Sequence, residues 1–71
     1  MWHNISLLPD IETTNEYNGL RSKIVLTKDN KGWIDLARFY YKSPDTLLDI
    51  VTINGYTITK KVLKWTDIPS E

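Results

Sequence analysis

Arg38, Tyr40 and Lys42 alternate along the chain, and alternation puts them on one side of an extended strand. A guanidinium, a phenol ring and an ammonium aligned in this way could stack a base and hold phosphates. The same residues fit a plainer arrangement, with Arg38 laid over an aromatic ring, Tyr40 in the core and Lys42 in water. Trp2 and Trp65 form a second set. They could close the two ends of a small barrel, or present an anchor patch to a partner, because tryptophan is enriched at binding hot spots. Arg38, Tyr40, Lys42, Trp2 and Trp65 are therefore the residues expected to meet a ligand or partner.

Catalytic chemistry finds less to work with. A nucleophile must sit beside a base that activates it. The chain has no cysteine, and its single histidine, His3, lies at the N-terminus. Asp35 is unusual on an otherwise apolar strand, yet pairing with Lys28 or Arg38, or a place near the solvent edge, would account for it. Asp45, Asp49 and Asp67 read as a turn residue, a cross-strand partner and a tail residue. The three glycines are scattered, so they build no phosphate-cradling loop. No calcium-loop spacing is present. Neither enzymatic activity nor a metal or other cofactor is expected.

Seventy-one residues make one domain, residues 1–71, which buries only about 60% of the surface its unfolded chain exposes. Without cysteine no disulfide can staple it, so a dense aromatic core or homo-oligomerisation is the expected support. Eight aromatics are available, Tyr17 among them. Nine basic residues balance nine acidic ones, which argues against a dedicated nucleic-acid binder or a membrane-surface protein. The balance is uneven along the chain. Residues 23–42 carry Lys23, Lys28, Lys31, Arg38 and Lys42 against Asp29 and Asp35, a surplus of three, while residues 1–22 carry Asp10, Glu12 and Glu16 against Arg21, a deficit of two. With no leader-like apolar run, no span of about 20 apolar residues and no cysteine, the cytoplasm is the expected location.

The elements that must position these residues read as β throughout. Asn54-Gly55 between two β-branched runs is a hairpin signal. A two-residue turn there would set Ile53 against Tyr56, Val51 against Ile58, Asp49 against Lys60 and Leu47 against Val62. A second hairpin runs from Lys23–Lys28 through Asp29–Gly32 to Trp33–Tyr41, with a loop of two, three or four residues. Its second strand is apolar on both sides, which predicts a central strand covered on both faces. Ser43-Pro44-Asp45 suits a turn or one helical turn. Residues from about 9 to 22 are polar and read as a long loop. Lys60, Lys61 and Lys64 suit a solvated edge that discourages sheet-to-sheet pairing.

Trp2 followed by Leu8-Pro9, and Val62-Leu63-Lys64-Trp65-Thr66-Asp67-Ile68-Pro69 at the other end, resemble the terminal segments of a family of short bacteriophage and prophage proteins of unknown function. Its members open with tryptophan shortly before Leu-Pro and end with Trp-x-x-Leu-Pro. Here Ile68 stands in place of leucine, Thr66-Asp67 in place of the usual Met-Pro, and the first tryptophan is one residue nearer its Leu-Pro. The loop before Lys23 is also longer than the family's. The resemblance implies a phage or prophage origin and no particular activity.

The expected fold is small all-β, about five antiparallel strands in a curved sheet or open barrel, with at most one short helical turn. The expected function is that of a non-catalytic phage-type accessory protein which binds and modulates a host protein in the host cytoplasm. A nucleic-acid or nucleotide-ligand binder using the Arg38 face, in an oligomeric form that sequesters its ligand between subunits, is the alternative.

Overall fold

The computed structural model describes residues 1–15 and 19–69. Seven strands follow one another in the chain: β1 His3–Asn4, β2 Ile11–Asn15, β3 Gly19–Ser22, β4 Val25–Asp29, β5 Ile34–Ser43, β6 Thr46–Thr52 and β7 Val62–Asp67. They form one curled sheet, a half-barrel, in which every strand pairing is antiparallel. No helix occurs among the described residues, and none is long and apolar enough to cross a membrane. Pro44-Asp45 is a two-residue turn, closed by Ser43 opposite Thr46.

β5 is the spine. Along one edge it pairs with β4 over Ile34–Ala37 and with β3 over Tyr40-Tyr41. Along the other it pairs with β6. β3 and β4 are thus two halves of one bent strand. Between Arg21 opposite Tyr40 and Val25 opposite Ala37 the bent strand holds one residue more than β5, a bulge that leaves the N–H of Phe39 without a ladder carbonyl. Ser22 fills the gap. Its buried hydroxyl accepts from Phe39 N at 3.0 Å and donates to Lys23 O at 2.7 Å. At this bend the outer neighbour of the bent strand changes from β2 to β7. The expected outcome of Ser22→Ala is a loss of about 1–3 kcal/mol, because a buried donor loses its partner. A lowered urea midpoint at unchanged slope would register it, and an unmoved midpoint would show that the bulge closes without the hydroxyl.

Alternation along β5 places Ala37, Phe39 and Tyr41 on the inner face. Phe39, Ile50 and Val25 are fully buried there, with Val62 and Trp65 completing the core. Phe39 meets the Trp65 ring edge-on, 6.3 Å between centres. The open side of the half-barrel is crossed by the segment after β1. The Trp65 indole N–H donates to Leu7 O at 2.6 Å, and the Tyr41 hydroxyl donates to Pro9 O. Ile5, Leu8 and Ile58 lie against the core from the same side.

Several expectations are corrected here. Residues 9–22 are not a long loop: they contain β2 and β3, paired from Ile11 opposite Ser22 to Asn15 opposite Gly19. Tyr17, with Glu16 and Asn18, lies outside the described residues. There are seven strands rather than about five, because three short ones do what one long strand and a loop were expected to do. β5 is central as read, but only one of its faces is covered. Ile34 and Leu36 on the other face are 51% and 38% exposed. A chain of this length supplies two covering segments, and both are used on the inside.

Candidate interaction surface

The two hairpin turns are built to the same plan. In Asp29-Asn30-Lys31-Gly32-Trp33, Gly32 N donates to Asp29 O at 3.1 Å, Gly32 adopts φ 85° and Asp29 N donates to Trp33 O at 3.0 Å. In Thr52-Ile53-Asn54-Gly55-Tyr56, Gly55 N donates to Thr52 O at 2.9 Å, Gly55 adopts φ 93° and Thr52 N donates to Tyr56 O at 2.8 Å. Each is a three-residue loop ending in a left-handed glycine. In each, the side-chain oxygen of the first residue also accepts the N–H of the aromatic four residues on: Asp29 Oδ1 from Trp33 N at 2.9 Å, Thr52 Oγ1 from Tyr56 N at 3.0 Å. Both turns therefore fix the backbone of an aromatic residue, and both aromatics are 70% exposed.

This geometry revises the expected register at Asn54-Gly55. A type I′ turn needs φ > 0 at both central residues, and no residue except glycine has positive φ among the described residues. The extra loop residue shifts the pairing by one, so Val51 faces Thr57 rather than Ile58. The pairs Asp49–Lys60 and Leu47–Val62 do not form. Asp49 instead accepts from the Thr59 hydroxyl at 3.0 Å, and Val62 begins β7 opposite Asp29. Lys60 and Lys61 stand in the turn before β7 rather than on a sheet edge.

Both turns lie at the end of the sheet where β5 begins. Ile53 N donates to Leu36 O at 3.0 Å, which seats Ile53 beside Leu36, and Leu26 lies opposite Leu36 on the other side. Ile34 is two residues from Leu36 on the same face. Ile34, Leu36 and Ile53 (54% exposed) thus gather at one end of the outer face, while Trp33, paired with Asp29 and in step with Asp35 and Ala37, and Tyr56, paired with Thr52 opposite Ala37, stand on the inner-face side of the same end. Together these five side chains leave on the order of 500 Å² of mainly apolar surface uncovered, divided between the two faces.

Arg38 and Tyr40 are brought together as expected. Both line one open groove on the outer face, with Ile24, Val51 and Ile53. The groove is poorly suited to phosphate. The Arg38 guanidinium lies 3.9 Å from the Glu12 carboxylate, and Tyr40 stands opposite Asp49. Lys42 is exposed beyond the groove, where the β5–β6 register breaks. Trp2 and Trp65 are separated by the sheet. Trp65 is 6% exposed and belongs to the core, which removes it from any docking surface of the folded chain. Trp2 is half-buried, with the Lys28 ammonium 4.5 Å above its ring. The His3 ring lies tilted against Trp65, 4.6 Å between ring centres. Asp35 is exposed rather than set among apolar neighbours. Among the described residues no three metal-ligating side chains come together.

Trp33 and Tyr56 were not foreseen as site residues. The signal was present: an oxygen-bearing residue, two free positions, glycine and an aromatic, occurring twice. Comparison with family models, curated proteins and solved structures returns no match.

Proposed function

We propose that the chain is a non-catalytic accessory protein of the phage or prophage kind that acts by binding a host protein. Its docking surface is the turn end of the sheet, with Trp33 and Tyr56 on the inner-face side and Ile34, Leu36 and Ile53 on the outer face. The observation that carries this reading is the repeated turn, which holds two large exposed aromatics at the same end of one sheet. Aromatics fixed in this way lose little freedom on binding, and that lowers the cost of association. A nucleotide ligand at the Arg38 groove has less support, because the Arg38 guanidinium already faces the Glu12 carboxylate.

The test is capture from bacterial lysate with the chain immobilised. The wild type is expected to retain a defined protein, and the double variant Trp33→Ala, Tyr56→Ala to retain at least about tenfold less, since single hot-spot truncations cost 2 kcal/mol or more. Thermal melts of both proteins serve as the folding control. Equal retention by the double variant, or none by the wild type, would remove this reading.

A further inference from the structure

The sheet is packed on one face only. Ile5, Leu8 and Ile58 all lie against the inner face, where seven hydrophobic side chains are buried among the described residues. The outer face stays bare along β5. Ile34 and Leu36 alternate into it, with Leu26 opposite Leu36 on β4 and Ile53 bonded beside Leu36 on the β6 side. Farther along, Arg38 stands opposite Val51, and Tyr40 opposite Asp49. The bulge between Leu47 and Asp49 adds Leu48 to this face. Leu47 and Ile50 pack inward, while Leu48 is 56% exposed and lines a hollow with Tyr40 and Val51. A second hollow reaches from Tyr40 and Val51 to Ile24 and Ile53. The face is therefore uneven. Its projecting aliphatics, Ile34, Leu36 and Ile53, stand where β5 begins, and its hollows meet nearer the other end, at Tyr40 and Val51.

We infer that a second copy of the chain covers the outer face, the two sheets forming the layers of a two-fold β-sandwich. The inference goes beyond the reading above: it gives Ile34, Leu36 and Ile53 to the second copy and leaves Trp33 and Tyr56, on the inner-face side, to the host protein. The area fits. The outer face leaves on the order of 500 Å² of apolar surface bare, and interfaces are about 60% apolar, so the matching footprint is about 800 Å² per copy, the standard size. The shape is self-complementary. Packed sheets keep their strands within about 30° of each other, and a two-fold axis lying across the strands meets that condition. Such an axis exchanges the ends of β5, so the projecting aliphatics of each copy fall on the hollows of the other. Charge does not oppose the exchange. Lys64 and Lys28, whose ammonium sits over Trp2, stand at the end where β5 begins. Asp49 and the Arg38–Glu12 pair stand farther along, with Arg21 opposite Tyr40 and Lys42 beyond. Each copy's two lysines thus approach the end that carries the carboxylates, not their own counterparts. A domain with so small a core and no cysteine gains stability from this cover.

The experiment is sedimentation equilibrium of the purified chain from about 1 μM to about 1 mM, a range that spans weak and moderate association. The wild type is expected to become dimeric within it, with a thermal midpoint that rises with concentration. The variant Leu36→Glu, Ile53→Glu sets two carboxylates of each copy into the contact and is expected to weaken association at least about hundredfold. The variant Trp33→Ala, Tyr56→Ala lies off the outer face and is expected to dimerise as the wild type does. A second measurement needs no variant to fold. In an equal mixture of ¹³C-labelled and unlabelled wild type, the methyls of Ile34, Leu36 and Ile53 are expected to show contacts between copies, to Tyr40 and Val51. A monomer throughout the range overturns the inference. So does a dimer whose contacts between copies lie elsewhere, or one that Leu36→Glu, Ile53→Glu leaves intact. The lysate capture is read separately. Dimerisation through the outer face without capture upholds the inference and removes the host reading. A monomer whose capture is lost in Leu36→Glu, Ile53→Glu means that the host protein itself covers the outer face, which overturns the inference and keeps the host reading.

Discussion

Phe39→Ala is expected to cost about 3–5 kcal/mol, the range for emptying an aromatic site in a core. Phe39 is fully buried, stands opposite Ile50 and meets the edge of Trp65. Neighbouring β-strands cannot collapse into the void, because β5 is held along both edges. A domain of this size has roughly 4–10 kcal/mol in total, so the variant should be largely unfolded at modest denaturant. The double variant Trp33→Ala, Tyr56→Ala removes more aromatic surface from the sequence, yet its cost should stay near the ±0.5 kcal/mol of ordinary surface changes. Urea titrations of the three proteins measure the contrast. A cost below about 1 kcal/mol for Phe39→Ala would mean that the core is elsewhere, and unfolding of the double variant would mean that its two rings are structural. The same contrast separates lost binding from lost fold.

The β class, the spine strand and both hairpins were legible because each rests on local pattern. Residues 34–43 alternate, and glycine at positions 32 and 55 marks the turns. What was illegible depends on partners distant in the chain. Ile11 and the residues up to Ser22 look polar and loop-like because an edge hairpin needs few apolar residues. β3 becomes a strand through its pairing with Tyr40 and Tyr41. Tyr56 to Val62 looked like the return arm of the Asn54-Gly55 hairpin, but it bridges β6 only where Thr57 meets Val51, and Val62 instead opens β7, which pairs with β4 and β1. A shift of one residue reverses the face of every paired side chain, so Thr57 rather than Ile58 comes to share a face with Val51.

The surface was harder to read than the fold. Arg38 and Tyr40 were correctly placed on one face, because alternation alone decides that. Whether the face was covered could not be decided from β5, which is apolar on both sides. Coverage depends on where residues 5–9 and 56–61 go, and both go inward. Trp65 is drawn in with them: its indole N–H finds the carbonyl of Leu7, a partner 58 residues away. The lysines needed the register as well. Lys28 comes to stand opposite Lys64 only through the pairing of β4 with β7.

That inward closure has its own signature in pH. Burial pushes the Tyr41 hydroxyl up to about 12 from the ordinary 10, with the nearby Asp10 charge adding to the effect. The folded protein therefore keeps the phenolic proton between pH 10 and pH 12, where the unfolded chain has lost it. More protons bound to the folded form means that stability falls as pH rises through this window; below pH 10 the contribution is fully present. Two pH units correspond to about 3 kcal/mol. Tyr41→Phe removes both the titration and the hydrogen bond to Pro9 O. Near neutral pH the phenylalanine variant should be the weaker protein by about 1 kcal/mol, the net value of one such bond. By pH 12 the order should invert, since the wild type alone must strip a proton from a buried ring or unfold. Chemical denaturation of the two proteins across pH 7–12 tests this, and the curves are expected to cross. Parallel curves would mean that the hydroxyl is not sealed against Pro9, and that residues 5–9 do not close the half-barrel. In that case the inner face would share the outer face's exposure, and the patch at the turn end would lose its claim to be the surface left open.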